Sequence, residues 1–251
     1  MFSWRTRMRL WYILLFLIVL GAFIGGTVAF FNNRSSCSDG TQNGDELGVD
    51  CGGSCKLVCP TTIREPLVLW SRALPISDGI YHAVAYVENK NDAIVDNAGY
   101  LFQVYDSSNT LVAERRGRVD IPASKQFSVF EGNIRIDAPA PFRTFFEFSD
   151  DLVWTQNEFK PTLLASGILL EELASSPRLE VTIENPTVYD VRELVAHVLL
   201  LDFEGNAVGV SRSVINDLKA GESLVRTFTW PRPFSEQPVR TVVEISVVDF
   251  N

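Results

Sequence analysis

The sequence predicts an all-β protein, two tandem β-sandwiches set behind one N-terminal transmembrane helix and a small disulfide-rich module. Three observations predict it. The run from Leu10 to Phe31 carries no charged residue. All four cysteines fall between Cys37 and Cys59. The remaining chain repeats itself in short, β-prone segments.

The uncharged run is long enough to cross a bilayer. At ~1.5 Å per residue it extends about 33 Å as a helix, against a hydrocarbon core of about 30 Å. Arg5, Arg7 and Arg9 directly precede it, so the positive-inside rule places Met1 and residues 1–9 in the cytoplasm and everything beyond residue 31 outside. Trp4, Trp11 and Tyr12 suit the cytoplasmic interface, and Phe30 and Phe31 the far one. Gly21 and Gly25 have the GxxxG spacing of helix-pairing faces. Thr27-Val28-Ala29 loosely resembles a cleavage site. The apolar run, however, is longer than the roughly 7–15 residues of a signal-peptide core, which favours an uncleaved anchor. The lipid bilayer is therefore the first expected partner, with the chain a single-pass protein of the cell membrane.

Charge limits the others. Three of the 22 basic residues lie before residue 32, leaving 19 against all 31 acids, a formal charge of about −12 on residues 32–251. Nucleic acid and anionic lipid need a basic footprint, so an acidic ectodomain argues against both. The 46% hydrophobic and 21% charged composition is that of a folded chain.

Cys37, Cys51, Cys55 and Cys59 form an even, clustered set in an exported segment, which reads as two disulfides with three possible pairings. Four thiolates on one zinc are the alternative, but no Cys-x-x-Cys knuckle is present. Residues 32–61 are too few for a core, and bridges take its place. Asp39, Asn43, Asp45, Glu46 and Asp50 lie between the cysteines. Such oxygen-rich loops can hold Ca²⁺, although the EF-hand pattern is absent.

The repeat defines the body. Val87-Glu88-Asn89-Lys90 answers Ile183-Glu184-Asn185-Pro186. Asp106-Ser107-Ser108-Asn109 answers Asp202-Phe203-Glu204-Gly205. Arg143-Thr144-Phe145-Phe146-Glu147 answers Arg240-Thr241-Val242-Val243-Glu244. The expected domains are 62–150 and 159–251, with a linker at 151–158. Strands are predicted at Ile80–Glu88, Gly99–Tyr105, Thr110–Val119, Gln126–Ile136 and Arg143–Phe148. In the second copy they fall at Arg178–Glu184, Glu193–Leu201, Ala207–Val214, Ser223–Trp230 and Thr241–Val248. Strands at this spacing make antiparallel sandwiches. The Asp106 and Asp202 segments read as turns, Asn89 and Asn185 as side-chain caps. Each Arg-Thr-x-x-Glu puts Arg and Glu on one strand face, an expected ion-pair ladder. The apolar Trp154 is expected at the junction of the two domains or over the first domain's core.

Two resemblances follow from these residues. The segment CSDGTQNGDELGVDCGGSCKLVC, 37–59, resembles a short Cys-rich motif of bacterial and archaeal surface proteins, which implies a surface location and a spacer role. Phe102-Gln103-Val104-Tyr105-Asp106, following Val87-Glu88-Asn89, resembles the FxLYD motif of a bacterial and archaeal immunoglobulin-like domain. Val198-Leu199-Leu200-Leu201-Asp202 keeps the Asp without the aromatics. The resemblance implies immunoglobulin-like sandwiches on an envelope protein and no catalytic residues.

Chemistry has few candidates. His82 and His197 sit in different copies, and a shared metal site would need the two domains face to face. Gly209-Val210-Ser211-Arg212-Ser213 lacks the last glycine of a nucleophile elbow. Asp150-Asp151 and Glu171-Glu172 are adjacent acids of the sort 31 acids produce by number. The expectation is a protein that is not an enzyme. Trp230-Pro231-Arg232-Pro233-Phe234 is the candidate binding loop, with Trp230, Arg232 and Phe234 held by two prolines. The expected function is a membrane-anchored interaction protein presenting its domains to another envelope protein. The alternative is a carbohydrate- or cell-wall-binding adhesin, with Ca²⁺ assistance.

Overall fold

The computed structural model describes residues 4–32, 36–137 and 139–251; Met1 and the Phe31 side chain lie outside what is described. Helix α1 (Trp4–Asn32) is followed by strands β1 (Leu67–Ser77), β2 (Ile80–Asn89), β3 (Ala93–Tyr105), β4 (Leu111–Ile121), β5 (Lys125–Arg135) and β6 (Arg143–Phe148). A two-residue strand, β7 (Thr155–Gln156), comes next. Then follow β8 (Leu164–Glu171), β9 (Arg178–Glu184), β10 (Val191–Leu201), β11 (Ala207–Leu218), β12 (Ser223–Thr229) and β13 (Arg240–Phe250). The chain forms two compact units. One holds the residues up to Ile63 together with Trp154–Gln156. The other holds Arg64–Val153 and Asn157–Asn251.

In the first unit, α1 is exposed on every side and its Arg7–Phe30 span has a mean hydropathy of 2.6. It is long and apolar enough to cross a membrane. The Cys-rich segment of the same unit recruits chain from far downstream. Leu57 and Thr155 form a β-bridge. Val58 N–H donates to Trp154 O at 2.9 Å and Gln156 N–H to Lys56 O at 2.8 Å. The Gln156 amide adds bonds to Gly53 O and Cys55 O at 2.7 and 3.0 Å. Trp154, 7% exposed, thus belongs with the cysteine module. A segment this short lacks apolar area for a core of its own, and backbone pairing with distant chain helps to hold it.

The second unit contains four antiparallel sheets, built on the strand orders β1–β2–β5, β4–β3–β6, β8–β9–β12 and β11–β10–β13. The strand order of the first pair repeats in the second when seven is added to each number. All ten predicted strands are present. Three more are present: the two-residue β7, and β1 and β8, edge strands that lack alternation. Pro75 is accommodated in β1 because an edge leaves one side without a ladder to break.

Equivalent residues do equivalent work in the two sandwiches. Asp106 Oδ1 accepts from Ser108 and Thr110 N–H, and Asp202 Oδ1 from Glu204 and Asn206 N–H, all at 2.8 Å. Asn89, 1% exposed, donates to Ala93 O and Pro122 O. Asn185, also 1% exposed, donates to Tyr189 O and Leu218 O. Each therefore stitches the end of one strand to two other backbone segments. The expected Arg–Glu ladder is not formed among the described residues. Arg143 instead lies 5.9 Å over the Phe145 ring, and Glu244 turns to Ser128.

Between the two sheets of the first sandwich, Tyr100, Phe102, Phe146 and Phe148 pack edge-on and tilted, with ring centroids 4.9–5.7 Å apart. In the second, Leu179, Val181, Ile183, Leu194, Val198 and Leu200 fill the space between sheets. A third apolar cluster joins the sandwiches to each other. Leu74 and Val84, with Trp70, Tyr86 and Phe130 around them, pack onto Leu199, Leu201, Ala207 and Val210. The outer face of β1–β2–β5 therefore lies on the outer face of β11–β10–β13, and the unit is a stack of four sheets.

Candidate functional site

In the cysteine module, Cys37 pairs with Cys55 and Cys51 with Cys59, so two disulfides form and the zinc alternative has no thiolates. The acids between them face donors of the module itself. Asp50 accepts from Asp39 and Gly40 N–H, both at 2.9 Å. Asp39 accepts from Thr41 N–H and O–H, at 2.9 and 2.8 Å, and from the Asn43 amide at 2.8 Å. Asp45 accepts from Ser54 O–H, and Glu46 from Asn43 N–H. Asn43 Oδ1 accepts from Ser36 N–H. Among the described residues no three of these carboxylates bring oxygens within 4.8 Å of one another; Glu46 instead lies beside the Cys37–Cys55 bridge. The expected calcium set does not converge, because each carboxylate is committed to closing a turn.

The expected binding loop is turned inward. Trp230 is 3% exposed and its indole N–H donates to Val210 O at 3.1 Å. Phe234 packs edge-on against it at 5.3 Å. Arg232 alone faces outward, paired with Asp78 at 2.7 Å. The prolines hold two rings for the core and not for a ligand.

The polar side chains that do gather lie where the sandwiches meet. In β11–β10–β13, Glu244, His197 and Arg212 stand directly opposite one another across the three strands. The rows on one side, Val242–Leu199–Val210 and Arg240–Leu201–Ala207, lie toward the apolar joint. The next row the other way, Ser246–Val195–Val214, opens into a cleft. Strand β5 closes over the charged row. Ser128 N–H and Oγ–H donate to Glu244 Oε2 at 2.8 and 2.5 Å, and Ser128 Oγ lies 3.0 Å from His197 Nδ1. With the hydroxyl proton spent on Glu244, His197 Nδ1–H is the donor to Ser128. Glu244 Oε1 is buried and has no donor among the described residues.

Loss of water shifts both titrating groups toward neutrality. Burial, with Arg212 nearby, pushes the His197 imidazole down to about 4. Burial raises the Glu244 carboxyl, against the Ser128 hydrogen bonds that lower it. The cleft outside this row has a volume of about 940 Å³. Tyr100 O–H donates to Glu131 at 2.7 Å on its wall. Arg118 and Lys125 reach it from β4 and β5, Arg212 and Glu193 from the floor. This is an amphoteric recess that can receive donors and acceptors together.

His82 and His197 do meet through the face-to-face joint, but with Phe130 between them. The Phe130 ring is 5.0 Å from His82 and 6.0 Å from His197. The two imidazoles sit on separate partners, and His82 Nδ1 accepts from Asn133 N–H at 3.1 Å. Sequence reasoning missed Ser128 and Glu244 as a site. Glu244 was read only as part of the Arg-Thr-x-x-Glu pattern, and nothing local pointed to Ser128.

No protein-family model and no curated protein matches the chain. Among solved structures, red sea bream transglutaminase aligns at 13% identity over 74% of this chain and 32% of its own length, with a TM-score of 0.23. The β-glucuronidase of Bacteroides uniformis aligns at 14% identity over 63% and 22%, with a TM-score of 0.22. The chain spans less than a third of either protein, and neither likeness bears on what it does.

Proposed function

We propose that this chain is a membrane-anchored interaction protein of the cell envelope, whose stacked sandwiches present a surface to another envelope protein outside the cytoplasm. The observation that carries the reading is the apolar joint between the sandwiches. It turns two repeats into one body with a recess at the seam, behind a helix able to hold that body at a membrane. The three arginines before the apolar run and the two disulfides support an N-terminus in the cytoplasm and an oxidised ectodomain outside. The FxLYD-like reading of both repeats draws support from the matching Asp106 and Asp202 turns.

A binding role, not catalysis, also suits the polar row. In a serine triad the carboxylate orients the histidine and the histidine activates the serine. Here the carboxylate holds Ser128 directly.

Crosslinking of the intact chain in native membranes, followed by mass spectrometry, tests the reading. One partner at near-equal amount is expected, and its yield falls in Val214→Arg, which fills the cleft floor with charge. Recovery in a wall fraction with no protein partner would replace it with the second reading, carbohydrate binding, which draws on the exposed rings of Phe142 and Phe145.

A further inference from the structure

The exposed face of β4–β3–β6 corresponds, residue for residue, to the face of β11–β10–β13 that the joint covers. Phe145–Gln103–Glu114 is the row equivalent to Val242–Leu199–Val210, and Arg143–Tyr105–Leu111 to Arg240–Leu201–Ala207. Even the charged row has its counterpart, since Glu147–Leu101–Arg116 matches Glu244–His197–Arg212. The second sandwich has this face buried against a neighbouring sheet. The first leaves the rows around Phe145 open, with Phe145 48% and Leu111 44% exposed. Tyr105 packs edge-on against Phe145 at 5.6 Å, so the rings form one patch. A contiguous apolar patch of this kind on a sheet face marks an interaction surface.

We infer that this face is a homodimer interface, packed against the same face of a second copy of the chain. The charge pattern selects that occupant. On β6, Arg143 and Glu147 are exposed and stand two residues either side of Phe145, about 7 Å away in each direction. Neither has an ion-pair partner among the described residues. A two-fold axis through Phe145, in the plane of contact and across the strands, lays Phe145 on its own mate. It also sets Arg143 over the other copy's Glu147, and the reverse. Self-complementarity about one point is what an isologous contact requires. Glu114, which the same axis brings near its mate, is already neutralised by Arg116 at 3.0 Å. The sheet β1–β2–β5, which covers the equivalent face in the second sandwich, is used inside the chain and is not free to serve a second copy. Packing of like face on like face is the arrangement left open. It is independent of the partner proposed above, which meets the recess and not the face that carries Phe145.

The test uses the full chain in lipid nanodiscs and in detergent, with dimerisation followed by sedimentation. Phe145→Cys is expected to form a disulfide-linked dimer on mild oxidation, and Val225→Cys, 61% exposed on β12, is not. Phe145→Asp is expected to weaken the dimer about tenfold or more. Its unfolding midpoint should stay near wild type, because the side chain is already half in water. Arg143→Glu alone weakens the dimer, and Arg143→Glu with Glu147→Arg restores it. That rescue would not follow from a merely apolar contact or from pairing of α1. A monomeric wild type overturns the inference, as does a dimer indifferent to Phe145→Asp, or disulfide capture of Phe145→Cys by a different protein.

Discussion

Ser128 on β5 and Glu244 on β13 are bonded twice across the joint of the sandwiches, through the serine's N–H at 2.8 Å and its hydroxyl at 2.5 Å. Ser128→Ala leaves a largely buried carboxylate with one donor fewer. It should lower stability by about 1–2 kcal/mol in urea unfolding. In a double-mutant cycle with Glu244→Gln the two changes should be non-additive. Strict additivity would mean that the two side chains do not meet in solution.

The apolar part of the joint predicts a different signature. Leu199 is 1% exposed on the side of β10 that faces the first sandwich. Leu199→Ala should cost about 2–4 kcal/mol. Leu199→Asp should uncouple the sandwiches, so that calorimetry shows two transitions where the wild type shows one.

Acid should weaken the joint through His197. Its imidazole titrates at about 4 in the folded protein, below its ordinary 6.5. The unfolded chain therefore takes up the proton first, and the stability present above pH 6.5 is lost as pH falls toward 4. The loss is on the order of 3 kcal/mol. Glu244 acts oppositely. Its carboxyl is raised, so its contribution is full below about 4.5 and declines as pH rises through the folded value. His197→Gln should flatten the acid limb between pH 6.5 and 4 in unfolding curves, leaving the Glu244 dependence. Arg212 is the cation beside His197 and Lys125 the one beside Glu244.

Asn89 and Asn185 should prove interchangeable in cost. Each is buried and holds two backbone carbonyls that would otherwise be unpaired. Asn89→Ala and Asn185→Ala should each destabilise by about 1–3 kcal/mol, measured by denaturant unfolding. A large effect in one and none in the other would break the equivalence of the repeats.

The cysteine module should respond to reduction and not to calcium. Cys51→Ser with Cys59→Ser removes a bridge worth roughly 2–4 kcal/mol and should open residues 38–58 to limited proteolysis. Added Ca²⁺ should leave the proteolysis rate of the wild type unchanged, because the module's carboxylates are spent on its own N–H and O–H groups. Protection by millimolar Ca²⁺ would restore the metal reading.

The local features were legible in the sequence because they depend on near neighbours. An uncharged run of sufficient length becomes a membrane-competent helix by composition alone. Alternation and turn residues located ten strands, and Asp106 and Asp202 announced their turns because an Asx side chain bonds two residues ahead. The misreadings were of long-range partners. Trp230-Pro231-Arg232-Pro233-Phe234 has the composition of an exposed array, yet its rings go to the core.

By itself, then, the sequence determined the membrane-competent helix, the oxidised cysteine cluster, the repeat and the all-β character. Each of these is set by spacing, charge or periodicity within one stretch of chain. Only the tertiary structure decided that Trp154 serves the cysteine module, that Ser128, His197 and Glu244 meet, and that one sheet face is covered while its equivalent is bare. Those facts rest on which of several apolar faces pack together. That choice is made by the complementarity of whole surfaces, which no local pattern encodes.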